Sequence, residues 1–412
     1  MLCILCAARV AAQTDSLSLP QCIQRALQYN ASVRVAQSDI RGAQLRHEEF
    51  GLTNLPFIAA RSHVLWAPDN GYDPIITNGG EIAAQIGVDV PLYDGGVKSI
   101  GLDQSSVDIQ RAERAKTLTE RDITFETKVA YYMVLRAEHE YMLQQQSVAQ
   151  LQDYLDLTKR LKAGGIADET DILKSQIQLN ESQIALRESG QQIRQAKISL
   201  AELLGSGASP TIEIQDTSVL DTSDVPEMNV MQTLDEQVSQ LAIQSAQYNI
   251  TLAQTETRPR VSLSADVGAL TSLDNLRAQS GLHNVFGYSA LAELEIPLWN
   301  WGLTDRRAEE QQTALEGLKA QDELLQRSLI SEWNAAREDF ITAKESFENF
   351  TETVQSAEDN YILSKAQFTG GHGRSLEVLD AQRLLTDTKL GVEKSRADIL
   401  IAKARLERLA TK

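Results

Sequence analysis

The sequence predicts an α+β chain made by internal duplication, with two membrane-length β-strands and one long helical hairpin in each half. Three observations predict it. The phrase "VPLYDGG" at Val90–Gly96 returns as "IPLWNWG" at Ile296–Gly302, 206 residues later in a chain of 412. Two rows of residues spaced by seven return at the same offset, which is the mark of a repeat. Four segments alternate apolar and polar residues with a strict period of two, as half-buried strands do.

Composition sets outer limits. Few aromatics and prolines, with abundant Gln, Ala, Leu, Ser and Glu, lean towards long helices rather than a compact aromatic core. A net charge of −18 argues against nucleic acid as a partner, because phosphate binding needs clustered Lys and Arg. The start, "MLCILCAARVAAQTDS", is apolar and ends in small residues; Val10 and Ala12 suit a secretory cleavage before Gln13, so residues 1–12 are expected to be a signal peptide. Cleavage would leave Cys22 alone and no disulfide framework. No apolar run reaches the length of a membrane-spanning helix.

The first repeat, 13–204, opens with a short helix in "SLPQCIQRALQYNASVRVAQSDIRGAQLRHEEF". Two strands follow. In Phe57–Ala67, Ile58, Ala60, Val64 and Trp66 oppose Arg61 and His63; in Glu81–Leu92, six alternate apolar residues oppose Glu81, Gln85, Gly87 and Asp89. Each is about ten residues long, enough for a tilted strand to cross a bilayer. Pro91 lacks an N–H and is expected to end the ladder, while Gly96 permits a sharp redirection into a helix. Tyr93 stands beside them, an amphipathic ring suited to the lipid–water boundary. A helical pattern then holds from Val97 to about Lys162, on the order of 95 Å at 1.5 Å per residue. After the turn at Gly164–Gly165 a second helix carries Ile172, Leu179, Leu186, Ile193 and Leu200 in one heptad row. Ser175, Ser182, Ser189, Ala196 and Leu203 form the other row. Large residues make knobs and small ones admit a neighbouring backbone, the pattern of a left-handed supercoil.

Residues 205–228 read as a Ser-, Asp- and Thr-rich linker. The second repeat, 229–412, has the same order: a helix in "MNVMQTLDEQVSQLAIQSAQYNITLAQTE", strands at Val261–Ala269 and Val285–Ile296, then Pro297, Trp299, Trp301 and Gly302. A helix runs from Leu303 to about Phe368, followed by a Gly turn and the rows Val378, Leu385, Val392, Ile399, Leu406 and Ala381, Thr388, Ser395, Ala402, Leu409. Polar loops, Ala67–Gly80 and Thr271–Asn284, join the strand pairs. Four strands cannot close a barrel, and open edges cannot face lipid, so the chain needs company.

This duplicated order of parts, with "SLSLPQCIQRALQYNASV" at Ser16–Val33 and "FTGGHGRSLEVLDAQ" at Phe368–Gln382, resembles the TolC family of outer membrane efflux proteins over nearly the whole chain. The resemblance implies a homotrimer in the outer membrane of a Gram-negative bacterium. Twelve strands, four per protomer, would form one barrel, continued by an α-helical coiled-coil tunnel through the periplasm. Asp89, Glu293 and Glu295, with Gly87 and Ser289, would face a water-filled lumen; the alternate apolar set, with Trp66, Tyr93, Trp299 and Trp301 at the interfaces, would face outer membrane lipid. Pro91, Gly96, Pro297 and Gly302 would form the swivel between barrel and tunnel. Glu377 and Asp380 match ring carboxylates at the periplasmic gate, and Asp171, with Asp168 near it, matches the first tip. Arg374 lies one residue from the expected gate arginine, and the gate tyrosine position reads Phe368. Acidic residues also suit a helix start in water, so both readings of these charges stand open. The tips near Ala163–Asp168 and Thr369–Ser375 would dock a periplasmic adaptor protein, joining the channel to an inner-membrane pump of RND, ABC or MFS type.

The expected function is therefore a passive exit duct for small toxic compounds or drugs. A type I secretion channel for proteins, or a periplasmic coiled-coil protein that is no channel, are the alternatives. No catalytic constellation is legible, so an enzyme is not expected, and no cofactor is. The five histidines are scattered without ligand spacing. Neither a Gly-Lys-Ser/Thr phosphate loop nor a nucleophile elbow occurs. "GHGR" at Gly371–Arg374 repeats the turn "GIAD" at Gly165–Asp168 and needs no chemistry.

Overall fold

In the computed structural model, residues 16–66, 80–205, 212–216, 220–223, 227–272 and 286–411 are described. The expected signal peptide, Cys3, Cys6 and most of both strand-connecting loops (67–79 and 273–285) lie outside them.

Helix α1 (Leu19–Tyr29) starts at Ser18, whose N–H donates to Gln21 Oε1 at 2.9 Å, with Pro20 in the first turn, where its missing N–H costs nothing. The single helix expected up to Phe50 is in fact two. Asn30 is extended, and its side chain accepts the Ser32 N–H at 2.9 Å, ending α1 and starting α2 (Ala31–Leu52). Strands β1 (Phe57–Trp66) and β2 (Gly80–Tyr93) precede α3 (Val97–Ala163) and α4 (Glu169–Leu203). In the second half, a 3₁₀ turn at Val230–Gln232 leads into α5 (Leu234–Gln254) and another at Thr255–Thr257 leads out of it. Strands β3 (Arg260–Ser272) and β4 (Phe286–Glu295) precede α6 (Leu303–Thr369) and α7 (Ser375–Ala410). β3 runs on through Thr271 and Ser272, beyond the strand that its alternation predicts. No described helix is long and apolar enough to cross a membrane.

The chain falls into two compact units that cut across the sequence halves. One holds residues 38–114 and 237–323. Its centre is a four-stranded antiparallel sheet in the order β1-β2-β3-β4, with a small helical cluster of Ile243, Ala246 and Leu315. Gly101 is forced in this unit, since a Cβ there would lie 2.3 Å from the Phe50 ring.

The other unit holds 1–37, 115–236 and 324–412. Every heptad-row residue named above is buried or half-buried. The buried hydroxyls of the small row bond mainly to their own helix: Ser175 to the Asp171 carbonyl at 2.8 Å, Thr388 to Leu384 at 2.7 Å, Ser395 to Gly391 at 2.8 Å. Satisfied in this way, they let helices close up without stranding a polar group. The described linker residues are not loose. Leu17 and Ile214 form a parallel bridge, Tyr131 Oη donates to the Gln215 carbonyl, and Leu220 and Met228 pack on the Leu329–Phe340–Leu406 core.

Candidate functional site

Three places hold the residues that the sequence singles out: the polar face of the sheet, the strand-to-helix turns, and the helical tips.

Strand pairing determines which side chains share a face. Phe57 lies opposite Asp89, Asp89 opposite Ser264, and Arg260 opposite Glu295. With alternation along each strand, one face gathers Arg61, His63, Glu81, Gln85, Gly87, Asp89, Asp266, Ser289, Glu293 and Glu295. The other gathers Ile58, Val64, Trp66, Ile82, Ile86, Val88, Val267, Phe286, Tyr288 and Leu294. Asp89, Glu293 and Glu295 therefore do share one face, and Asp89 is paired there. Arg61 binds Asp89 on the next strand and reaches Asp266 on the strand beyond at 3.2 Å. Gly87 makes that reach possible, because a Cβ there would lie 2.2 Å from Asp266 Oδ1 and 2.6 Å from Arg61 Nη1. His63 Nε2 lies 2.7 Å from Glu81 Oε1. Periodicity had placed Arg61 and His63 among the polar positions; the triad itself depends on register, for which one strand's sequence carries no signal.

The aromatic residues mark both ends of the sheet. Trp66, opposite Gly80, is 70% exposed at one end; Tyr93, Trp299 and Trp301 (47%, 75% and 89%) belong to the other. Trp299 and Trp301 meet edge to face at 5.9 Å. Such exposure of large rings wastes the hydrophobic effect in water but suits a lipid headgroup boundary.

At the first turn one expectation needs correction. Pro91 does not end the ladder: it stays opposite Ser262, the register shifts, and pairing resumes at Tyr93 with Val261. A missing N–H is tolerated at a bulge. Gly95 and Gly96 both have positive φ, 75° and 93°. The side chain of Asp94 accepts from the Gly96 N–H at 2.9 Å and the Lys98 N–H at 2.8 Å, capping α3. In the second turn Pro297 follows the end of β4, Gly302 has φ 77°, and Trp301 itself takes φ 57°, rare for a non-glycine residue. Asn300, the repeat equivalent of Asp94, donates to Thr304 Oγ1 at 2.6 Å. Sequence alone assigns no role to Asp94 or Asn300, although both lie inside the repeated turn.

At the tips α3, α4, α6 and α7 enclose one apolar cluster that includes Leu151, Tyr154, Leu179, Phe368, Val378 and Leu385. Phe368 is 2% exposed and packs on Tyr154, ring centroids 5.8 Å apart. Tyr154 Oη donates to the buried Ser375 Oγ at 2.9 Å, and burial pushes the phenol up to about 12, so it keeps its proton. Asp168 caps α4: its side chain accepts the Asp171 N–H at 2.9 Å, and Asp171 accepts the Asp168 N–H at 3.1 Å, a reciprocal box. Glu377 accepts the Arg374 N–H at 3.3 Å at the start of α7. Asp380 is exposed, 3.8 Å from Arg383. Thus Asp168 and Asp171 are joined as one cap. Glu377 and Asp380 lie three apart on one exposed helix face. Phe368 belongs to the core.

A groove of about 300 Å³ between α3, α5 and α7 is lined by bases that are already paired. Arg121 pairs with Asp235 at 2.5 Å and Asp122 at 2.8 Å, Lys128 with Glu407 at 2.7 Å, and Arg408 with Asp122 at 2.9 Å. Among the described residues no group of His, Cys, Asp and Glu is arranged to hold a metal ion.

Comparison with known proteins meets this geometry from outside. The profile of the outer membrane efflux protein family matches residues 70–206 and 233–411. The outer membrane protein TolC of Vibrio cholerae is 23% identical over 319 residues, 74% of this chain and 70% of that protein. The probable efflux pump outer membrane protein TtgC of Pseudomonas putida is 24% identical over 385 residues, 89% and 77% of the two chains. Among solved structures, a membrane protein from Pseudomonas aeruginosa superposes with TM-score 0.82 at 19% identity over 95% of this chain and 90% of its own. The outer membrane protein VceC of Vibrio cholerae superposes with TM-score 0.80 at 16% identity over 95% and 96%.

Proposed function

This chain belongs to the outer membrane efflux protein family, and on that premise we propose that three copies form one passive exit duct of a tripartite efflux system. The duct would carry small toxic compounds from an inner-membrane pump to the outside. The observation that carries this reading is the two-faced sheet. One face is ionic and one apolar, the strands are of bilayer length, and the outer edges of β1 and β4 pair with no described strand. In lipid an open edge strands backbone groups that no water can satisfy. Closure with two further copies removes both edges, puts the Arg61–Asp89–Asp266 face on water and puts the apolar face on lipid. Export as the task is taken from relatives such as the P. putida efflux pump proteins.

In this reading the chain does no chemistry. Pro91, Gly96, Pro297 and Gly302 let the strands turn into α3 and α6, and Trp66, Tyr93, Trp299 and Trp301 sit at the two lipid boundaries. The tips around Ala163–Asp168 and Thr369–Ser375 dock a periplasmic adaptor, whose pump supplies the energy. Glu377 and Asp380 line the periplasmic entrance, where threefold symmetry gathers six carboxylates and focuses a negative potential. Asp168, Asp171 and Arg374 hold the adjoining helix starts in shape.

The test is conductance. The purified protein in a planar bilayer is expected to open a cation-preferring pore that polyvalent cations block from the periplasmic side. Glu377→Ala/Asp380→Ala should lose both properties while still assembling. A double variant that keeps both would remove these residues from the entrance; a chain that stays monomeric in mild detergent would remove the duct.

A further inference from the structure

The duplication has a geometric consequence at the open sheet edges. Phe57 opens β1 opposite Asp89, and Arg260 opens β3 opposite Glu295. Asp89 and Glu295 are 206 residues apart, the offset of the quoted phrase, so β4 repeats β2 at that offset. Phe57 and Arg260 are 203 apart, so β3 repeats β1 three residues out of step. Pro56 and Pro259, each immediately before its strand's first residue, keep the same 203 spacing independently.

The chain also contains the seam between its two halves, β2 against β3, in which Asp89 faces Ser264, Gly87 faces Asp266 and Gln85 faces Gly268. If β4 meets β1 of a second copy as β2 meets β3, each residue of this seam has a counterpart. Asp89 becomes Glu295 and Ser264 becomes Arg61. Gly87 becomes Glu293 and Asp266 becomes His63. Gln85 becomes Leu291 and Gly268 becomes Leu65. We propose that β4 of one copy pairs antiparallel with β1 of a second copy in the register that sets Glu295 opposite Arg61 and Glu293 opposite His63. The proposal rests on the closed-barrel reading above and adds the register of the seam between copies.

Charge supports the same register without reference to the repeat. Both acids lie on the polar face of β4, and both nitrogen-bearing residues lie on the polar face of β1. Sliding by one residue would turn the apolar face of one strand against the polar face of the other. Sliding by two in either direction would leave one acid facing Ala59 or Leu65, and either Arg61 or His63 facing no acid of β4. Only the register inherited from the β2–β3 seam matches both pairs. Opposite charges directly across strands favour pairing, and like charges oppose it. Arg61, already bound to Asp89 and Asp266, then links three strands of its own copy to a fourth from the next.

Cysteine pairs test the register directly, since directly opposed Cβ atoms are about 4.5–5.5 Å apart and diagonal neighbours about 7–8 Å, beyond disulfide reach. The full chain is made as H63C/E293C and as L65C/L291C, the second pair leaving every ion pair intact. H63C/E295C, displaced by two residues, and the five single variants are controls. After mild oxidation of the assembled protein in detergent, both matched pairs are expected to give dithiothreitol-reversible oligomers on non-reducing gels, and the controls none. Cross-linking that favours H63C/E295C, or none at all in a protein that still elutes as a trimer, overturns the register and leaves the barrel standing. A chain that elutes as a monomer overturns the barrel and this pairing with it.

Discussion

Replacing Phe368 by Ala should loosen the helical tip and little else. The ring is 2% exposed and lies against Tyr154 in the cluster shared by α3, α4, α6 and α7. Truncating a buried Phe removes its transfer free energy and leaves a cavity, together about 3–5 kcal/mol. Long helices open locally rather than all at once, so the loss should fall on the tip. At about 1.4 kcal/mol per tenfold, amide protection at residues 157–180 and 365–385 should drop by about two to four powers of ten. Protection around Leu329 and Leu406, in another cluster, should hold. Hydrogen exchange read by mass spectrometry on the assembled protein measures both. Phe368→Tyr is the companion: it buries a hydroxyl among apolar groups and should cost about 1–3 kcal/mol. If both variants keep wild-type protection at the tip, Phe368 faces water and the core assignment is wrong.

Gly268→Ala should disrupt the sheet, because its Cβ would lie 2.2 Å from the Ala84 carbonyl oxygen, which cannot move aside. Gly287→Ala, directly opposite in register with nothing within 4 Å, should be neutral within about 0.5 kcal/mol; heat resistance of the assembled protein compares them. His139 sits between Glu393 at 2.7 Å and Asp216 at 3.3 Å, with Arg396 nearby. The hydrogen bond to Glu393 raises its pKa although burial opposes this. A raised folded pKa contributes stability that is full below the unfolded value, about 6.5, and is lost as pH rises through the folded one. Denaturation midpoints should therefore fall as pH rises above about 6.5 in wild type, and fall less in His139→Gln. Equal slopes in both would rule out the histidine. Asp94→Ala removes the acceptor for two N–H groups at the start of α3 and should cost about 0.5–2 kcal/mol, seen as faster exchange at Gly96–Ile100. Unchanged exchange there would mean that water caps the helix as well.

What the sequence determined by itself was whatever repeats along the chain. The 206-residue echo, the period of two in four segments and the period of seven in α4 and α7 gave the elements in order, with α3 and α6 ending one residue beyond the expected limits. Those signals are local: a side chain's face follows from its place in its own helix or strand. What the tertiary structure alone decided concerns partners distant in the chain. Arg61 meets Asp266 only because β2 lies between their strands in one register, over a glycine. Phe368 is buried only because side chains distant in sequence, Tyr154 on α3 among them, cover it. Asp168 and Asp171 turn out to cap each other, a short-range fact hidden because an acidic pair at a turn suits a cap and a pore alike until backbone directions are known. The break at Asn30 was equally hidden, since helical periodicity runs through a single extended residue with little change of face.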